Sequence, residues 1–302
     1  MEILDFLVTG GCGFIGSNIV QRLVEEGYKV AVFDDLSTGI LKNIEGLDVK
    51  FFKEPYDKIS DRLSSVNTIF HLGMPSSSPM YKRQPWLVGR TINDAVSIFE
   101  YARKSGCKVV YASTSSLYNG NPLPYREDMP IYVTDYYTES RYAIERLATL
   151  YNRLYGVKSI GLRLFSVYGP KEEHKGEYAN VVSQFLWQMR RGMSPIIYGD
   201  GRQTRDFIHV EDVVDAFILA SEAPFECEIF NVGTGIAHTF NDIINLLNKY
   251  LKKNVEPTYK PNPIKNYVYH TRADTKKAEE LLGFKAKISL ETGIRKLVTA
   301  EK

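Results

Sequence analysis

Along most of its length the chain alternates short apolar runs with amphipathic stretches of helical period, and that alternation predicts its elements. Leu4-Asp5-Phe6-Leu7-Val8-Thr9 reads as a buried strand, and Phe14, Ile15, Ile19, Val20, Leu23 and Val24 fall on one face of the helix that follows. Further strands are predicted over 28–33, 49–52, 66–73 (with its turn), 108–112 and 159–165. Helices are predicted over 86–104, from Ile92, Val96, Ile98, Phe99 and Ala102, and from 135 onward through Ile144, Leu147, Leu150 and Tyr151. Between them, the Pro- and Ser-rich stretch Pro75–Pro85 reads as an irregular surface loop. Past residue 165 the rhythm loosens: a helix over 178–191, a turn, strand and helix over 199–221, a strand over 228–233, then helices over 240–251, 275–282 and 290–298. Strands that alternate with helices predict a parallel sheet covered on both faces, with ligands beyond the carboxyl ends of its strands.

Bulk properties narrow the classes. The chain has 302 residues, 44% hydrophobic and 25% charged, with a net charge of +2. That length allows two lobes, and that charge makes no electrostatic case for nucleic acid or an anionic membrane. Cys12, Cys107 and Cys227 are far apart and show no metal spacing, so they read as thiols in a reducing compartment. No cleavable leader follows Met1, and no apolar run is long enough to span a bilayer, so a cytoplasmic protein is expected.

The candidate chemistry sits at strand ends. After the first strand the glycines run Gly10-x-x-Gly13-x-x-Gly16 into the helix. Glycines let backbone approach a ligand closely, and a helix N-terminus favours negative charge, so this is a pyrophosphate cradle. Asp34, at the end of the second strand, is placed to accept hydrogen bonds from adenosine ribose hydroxyls, which favours NAD over NADP. Ser113-Thr114-Ser115-Ser116 follows the fifth strand, and Tyr137 and Arg141 share a helical face. Arg202 and Arg205 lie near glycines in 199–213, where guanidinium forks suit phosphate oxygens. His71 and His209 read as strand-end residues satisfying local hydrogen bonds, and Trp86 and Trp187 as packing residues in helices.

Together these segments resemble the extended short-chain dehydrogenase/reductase family, and within it the nucleotide-sugar epimerases typified by UDP-glucose 4-epimerase. The resemblance rests on Thr9–Gly16, Asp34–Gly39, His71-Leu72-Gly73, the long Gly199–Val213 segment, Phe230–Gly233 and Arg272-Ala273-Asp274. It implies a Rossmann-type doubly wound parallel sheet over 1–165, completed by 207–235. A smaller mixed α/β substrate lobe would take in 166–206 and 236–302. It implies Thr114, Tyr137 and Arg141 as catalytic residues, the last where the family has lysine. Cofactor contacts fall on Gly10, Gly13, Phe14, Ile15, Gly16, Asp34, Leu72, Tyr137 and Arg141, and substrate contacts on Thr114, Ser166, Arg205 and Arg272. No metal is implied. Ser166 stands where the family has asparagine and Val96 where it has glycine, and Glu54-Pro55-Tyr56 replaces the acidic adenine-contact motif. The implied reaction is 4-epimerisation of a UDP-sugar by transient oxidation at C4, in a homodimer formed through the helices of 86–104 and 136–155. A non-catalytic NAD-binding sensor, or another NAD-dependent nucleotide-sugar oxidoreductase, stays open. The 4,6-dehydratase branch wants an Asp-Glu pair where this chain has Ser115-Ser116.

Overall fold

The seven long apolar runs all become strands of one sheet. The structure is a computed structural model and describes residues 4–263 and 267–300; Met1, where the expected absence of a leader falls, lies outside them. The strands are β1 (Leu4–Thr9), β2 (Val30–Phe33), β3 (Val49–Phe52), β4 (Val66–His71), β5 (Lys108–Thr114), β6 (Ser159–Leu164), β7 (Ser166–Tyr168), β8 (Ile196–Tyr198), β9 (Thr204–His209), β10 (Cys227–Val232), β11 (Ala237–Thr239) and β12 (Thr258–Lys260). The helices are α1 (Phe14–Glu25), α2 (Ile59–Arg62), α3 (Ser78–Arg83), α4 (Leu87–Ser105), α5 (Tyr136–Tyr155), α6 (Val181–Arg190), α7 (Val210–Glu222), α8 (Phe240–Leu251) and α9 (Leu290–Ala300).

The large sheet runs β10-β6-β5-β4-β1-β2-β3 with every pair parallel. Its order reverses between β1 and β4, which opens a crevice at their carboxyl ends. Register decides what lines that crevice. Thr9 pairs with both Phe33 and His71, so Gly10, Asp34 and Leu72 leave the sheet side by side. Thr114 pairs with Leu164, which brings Ser166 to the same edge.

Apolar side chains fill both faces. Ile19, Val20 and Leu23 of α1 meet Val213 and Phe217 of α7 on one face; Ile98, Phe99 and Ala102 of α4 meet Ile144 and Ala148 of α5 on the other. A third core around Phe185, Phe207, Phe240 and Ile294 holds the smaller lobe, with its sheet β11-β9-β7 and the pair β12-β8. Asp206 on β9 knits that lobe. It is fully buried and accepts from the Thr234 amide (2.8 Å) and hydroxyl (2.6 Å), the Gly235 amide (2.9 Å) and the Ala273 amide (3.0 Å).

Four local readings change. Pro75–Pro85 is not wholly irregular: Ser77 and Pro79 start the short helix α3, whose Tyr81 is fully buried and bonds Thr91 at 2.8 Å. Strand β5 runs on to Thr114, so Ser113 and Thr114 belong to the strand rather than to a turn. Helix α6 begins at Val181 because Asn180 caps it, accepting from the Val182 amide at 3.0 Å. Trp86 lies outside its helix and is 68% exposed, whereas Trp187 packs against the third core.

Candidate active site

The carboxyl edge of the sheet opens into a cleft of about 950 Å³. Its lining includes Gly10, Gly13, Phe14, Ile15, Gly16, Asp34, Leu72, Thr114, Tyr137, Arg141 and Ser166, brought together from six parts of the chain.

The cradle depends on two glycines. Gly10 has φ +68°, and a Cβ there would lie 2.6 Å from Gly73 Cα. A Cβ on Gly16 would lie 2.1 Å from the Gly10 carbonyl oxygen, so α1 could not approach the turn. The first turn of α1 carries no acid, which leaves its positive end to a ligand. Asp34 is buried and accepts from the Cys12 amide (2.9 Å) and the Leu36 amide (2.8 Å), which aims the carboxylate along the groove. Burial raises its pKa, and those amides pull the other way. These residues fit NAD: close-approach glycines, a helix terminus and a fixed carboxylate at the far end.

Tyr137 is held by the start of α5. Asp135 accepts from the Thr138 amide at 2.8 Å while Thr138 Oγ1 accepts from the Asp135 amide at 3.0 Å, a reciprocal cap of about 1 kcal/mol. The Tyr137 ring packs 5.7 Å from that of Tyr81, and the Arg141 guanidinium sits 5.0 Å from the Tyr137 centroid. Thr114 is buried and its hydroxyl accepts from the Ser116 amide at 3.2 Å. Arg141 is 4% exposed and donates to the Pro75 carbonyl at 2.8 Å and to Met74 Sδ. Its fork therefore ties α5 to the loop after β4. A lysine offers one point charge and could not reproduce that pair of contacts.

Arg205 and Arg272 do not line the cleft. Arg205 lies between the rings of Phe240 (5.8 Å) and Tyr267 (5.2 Å) and donates to the Tyr269 carbonyl at 3.1 Å. Arg272 is exposed on the rim of a separate cavity of about 350 Å³. Arg202 is exposed as well and lines neither cavity.

A buried network ties α5 to β5 and β6 beside the cleft. Glu145 of α5 and Arg163 of β6 pair through two bonds (2.9 and 2.7 Å); Ser113 donates to Glu145 at 2.6 Å, and Arg163 donates to Tyr118 at 2.8 Å. The sequence signal was present: an arginine inside the apolar strand Ile160-Gly161-Leu162-Arg163-Leu164, and a glutamate on the apolar face of α5. Such positions demand a partner.

His71 and His209 are each half satisfied. His71 Nδ1 bonds Thr9 Oγ1 at 2.8 Å and His209 Nδ1 accepts from the Glu211 amide, but neither Nε2 has a partner among the described residues. Burial pushes His71 down to about 3, with Arg141 a smaller cause, and His209 down to about 4. Burial pushes Asp94 up to about 6 against the pull of Arg90. Below about pH 6.5 the unfolded histidines take a proton that the folded ones refuse, so each withdraws stability as the pH falls. Asp94 is protonated first in the folded state and opposes them. The balance of these three groups is near one proton, so together they withdraw about 1.4 kcal/mol of stability per unit between about pH 6 and 4.5. Urea denaturation across that range reads it. Asp94→Asn removes the opposing proton and steepens the fall by about 1.4 kcal/mol per unit, and an unchanged slope in that variant would refute the Asp94 assignment.

A glycine turn at a helix N-terminus, a fixed carboxylate at the end of β2 and a hydroxyl-bearing pair over one crevice are the marks of a dinucleotide-dependent enzyme. The chain belongs to the NAD dependent epimerase/dehydratase family, whose model matches residues 6–233. A Methanocaldococcus jannaschii protein with a provisional UDP-glucose 4-epimerase name is 38% identical, over 97% of this chain and 96% of its own. The Thermotoga maritima UDP-glucose 4-epimerase with UDP-glucose superposes with a TM-score of 0.91 at 34% identity, covering 98% of this chain and 97% of that one. The Thermus thermophilus UDP-glucose 4-epimerase in complex with NAD gives 0.88 at 29%, covering 98% of each chain. The cofactor is NAD. No helix among the described residues is long and apolar enough to cross a membrane.

Proposed function

We propose that the protein is a nucleotide-sugar 4-epimerase acting on a UDP-sugar. The observation that carries this reading is the meeting of Thr114 and Tyr137 in one cleft with the glycine cradle. Tyr137 takes the proton of the sugar 4-hydroxyl and returns it, and Thr114 holds that hydroxyl in line. When bound, NAD supplies a reversible hydride acceptor for C4. Ser115 and Ser116 line the same cleft and bring no acid–base pair for an elimination, which favours epimerisation over dehydration. Ser166 offers a hydroxyl to the substrate from β7.

The test is turnover. Protein with added NAD is given UDP-glucose, UDP-galactose and their N-acetyl and uronic acid relatives, and NMR reads each mixture for the C4 epimer. One converted pair is the expected result; none converted, with NAD bound, sinks the reading. A non-catalytic sensor draws support from Arg141, whose fork is engaged by Met74 and Pro75, and the same assay separates the two.

The reading includes a homodimer in the cytoplasm. Leu150, Leu154 and Tyr155 are exposed along α5, and the three cysteines are unpaired. A sedimenting mass of one chain would overturn that pairing.

A further inference from the structure

Tyr56 stands in Glu54-Pro55-Tyr56, one of the segments that depart from the family pattern. Pro55 starts a single turn at Tyr56–Lys58 and directs the Tyr56 side chain inward. The residue is 6% exposed, its ring meets His71 edge-on at 6.0 Å, and it lines the cofactor cleft. Its hydroxyl lies beside the glycine turn. A Cβ on Gly73 would fall 1.8 Å from Tyr56 Oη and 3.0 Å from the Gly10 amide nitrogen. Tyr56 therefore occupies the space that an alanine at 73 would need.

Among the described residues, no hydrogen bond reaches that hydroxyl. The ring is buried while its oxygen stays in contact with the cleft, so a ligand there can take the bond that no described protein group takes. The missing partner is to be sought in the cleft. Asp34, Asp35 and Asp94 act on the phenol, with Arg90 as the counter-charge, paired to Asp35 and 3.6 Å from Asp94. Burial and then these carboxylates hold the phenol pKa well above its usual value, so the group keeps its proton and donates. Asp34 marks the ribose end of the groove and Gly10 the phosphate turn, so the acceptor lies between them.

We propose that Tyr56 is a cofactor-binding residue whose hydroxyl donates to an oxygen of the adenosine ribose or its adjoining phosphate in NAD, and that Gly73 is the residue that makes room for it. The proposal rests on the assignment of the cleft to NAD and is independent of the reaction that follows.

The test is calorimetric titration of the full chain, freed of nucleotide, with NAD and with ADP-ribose. Tyr56→Phe keeps the ring and its packing. Its Kd for both ligands rises about fivefold to tenfold, while the melting temperature without nucleotide is unchanged. Wild-type affinity in this variant overturns the proposal, and so does a loss for NAD that ADP-ribose does not share. Gly73→Ala tests the seat. It weakens binding in the native background and has little further effect in Tyr56→Leu; equal damage in both backgrounds overturns the role of Gly73. Because binding is read directly, the titration decides the role of Tyr56 even in a protein that epimerises none of the sugars.

Discussion

Tyr137→Phe lowers turnover of the nucleotide sugar by about a thousandfold or more and leaves NAD affinity within about twofold. The change removes one oxygen and keeps the ring. The contacts with Tyr81 and with the Arg141 guanidinium are made by that ring and survive. The cap that fixes the start of α5 is made by Asp135 and Thr138 and is untouched. On the proposed reaction what is lost is proton transfer at the sugar hydroxyl, and a positioned acid–base group contributes about a hundredfold to ten-thousandfold. NMR progress curves measure the first effect and calorimetry the second. Turnover above a tenth of native would remove Tyr137 from the chemistry. A large loss of NAD affinity would show that its hydroxyl carries much of the cofactor contact as well.

Glu145→Ala destabilises the protein by about 3–5 kcal/mol, the usual consequence of leaving one member of a buried ion pair alone. Glu145 and Arg163 are each about 4% exposed, so water cannot replace the missing carboxylate. Ser113 loses its acceptor as well, and Tyr118 remains the nearest hydroxyl to the stranded guanidinium. Replacing both residues with methionine is milder than the single change, because no charge is left without a partner. Urea denaturation of the two variants decides it. A loss below about 1 kcal/mol in Glu145→Ala would show that the pair is not desolvated in solution. Ser113 precedes Thr114 on β5, so the single variant also loses activity, while the double variant keeps part of it.

What the chain reveals before its fold is known follows the length scale of each signal. The strands of the large sheet and helix α8 were legible because each is a local apolar pattern. That the glycine turn and Asp34 would lie together at the carboxyl edge was legible because both follow directly on strands. Helix α3 was hidden because its Pro and Ser residues suit a helix start as well as a loop, and only the burial of Tyr81 decides between them. The arginines divide in the same way. Position 141 could be placed on the right helical face, but its bonds to Met74 and Pro75 depend on a loop far away in the chain. Arg205 belongs to a recognisable motif, yet Phe240 and Tyr267 enclose it outside the cleft, and nothing near residue 205 announces them.

Asp206 sets an order on the making of the protein. Its carboxylate is satisfied by amides at 234, 235 and 273, so one of its ligands comes from late in the chain. While the chain is being synthesised, the large sheet can close once β10 has emerged, whereas the smaller lobe must wait for Ala273. Until then Asp206 has to remain in water, because its charge is held in the interior by those amides. A chain ending before residue 273 should therefore carry a formed cofactor groove beside an open second lobe, and proteolysis of such a chain would cut first around β9.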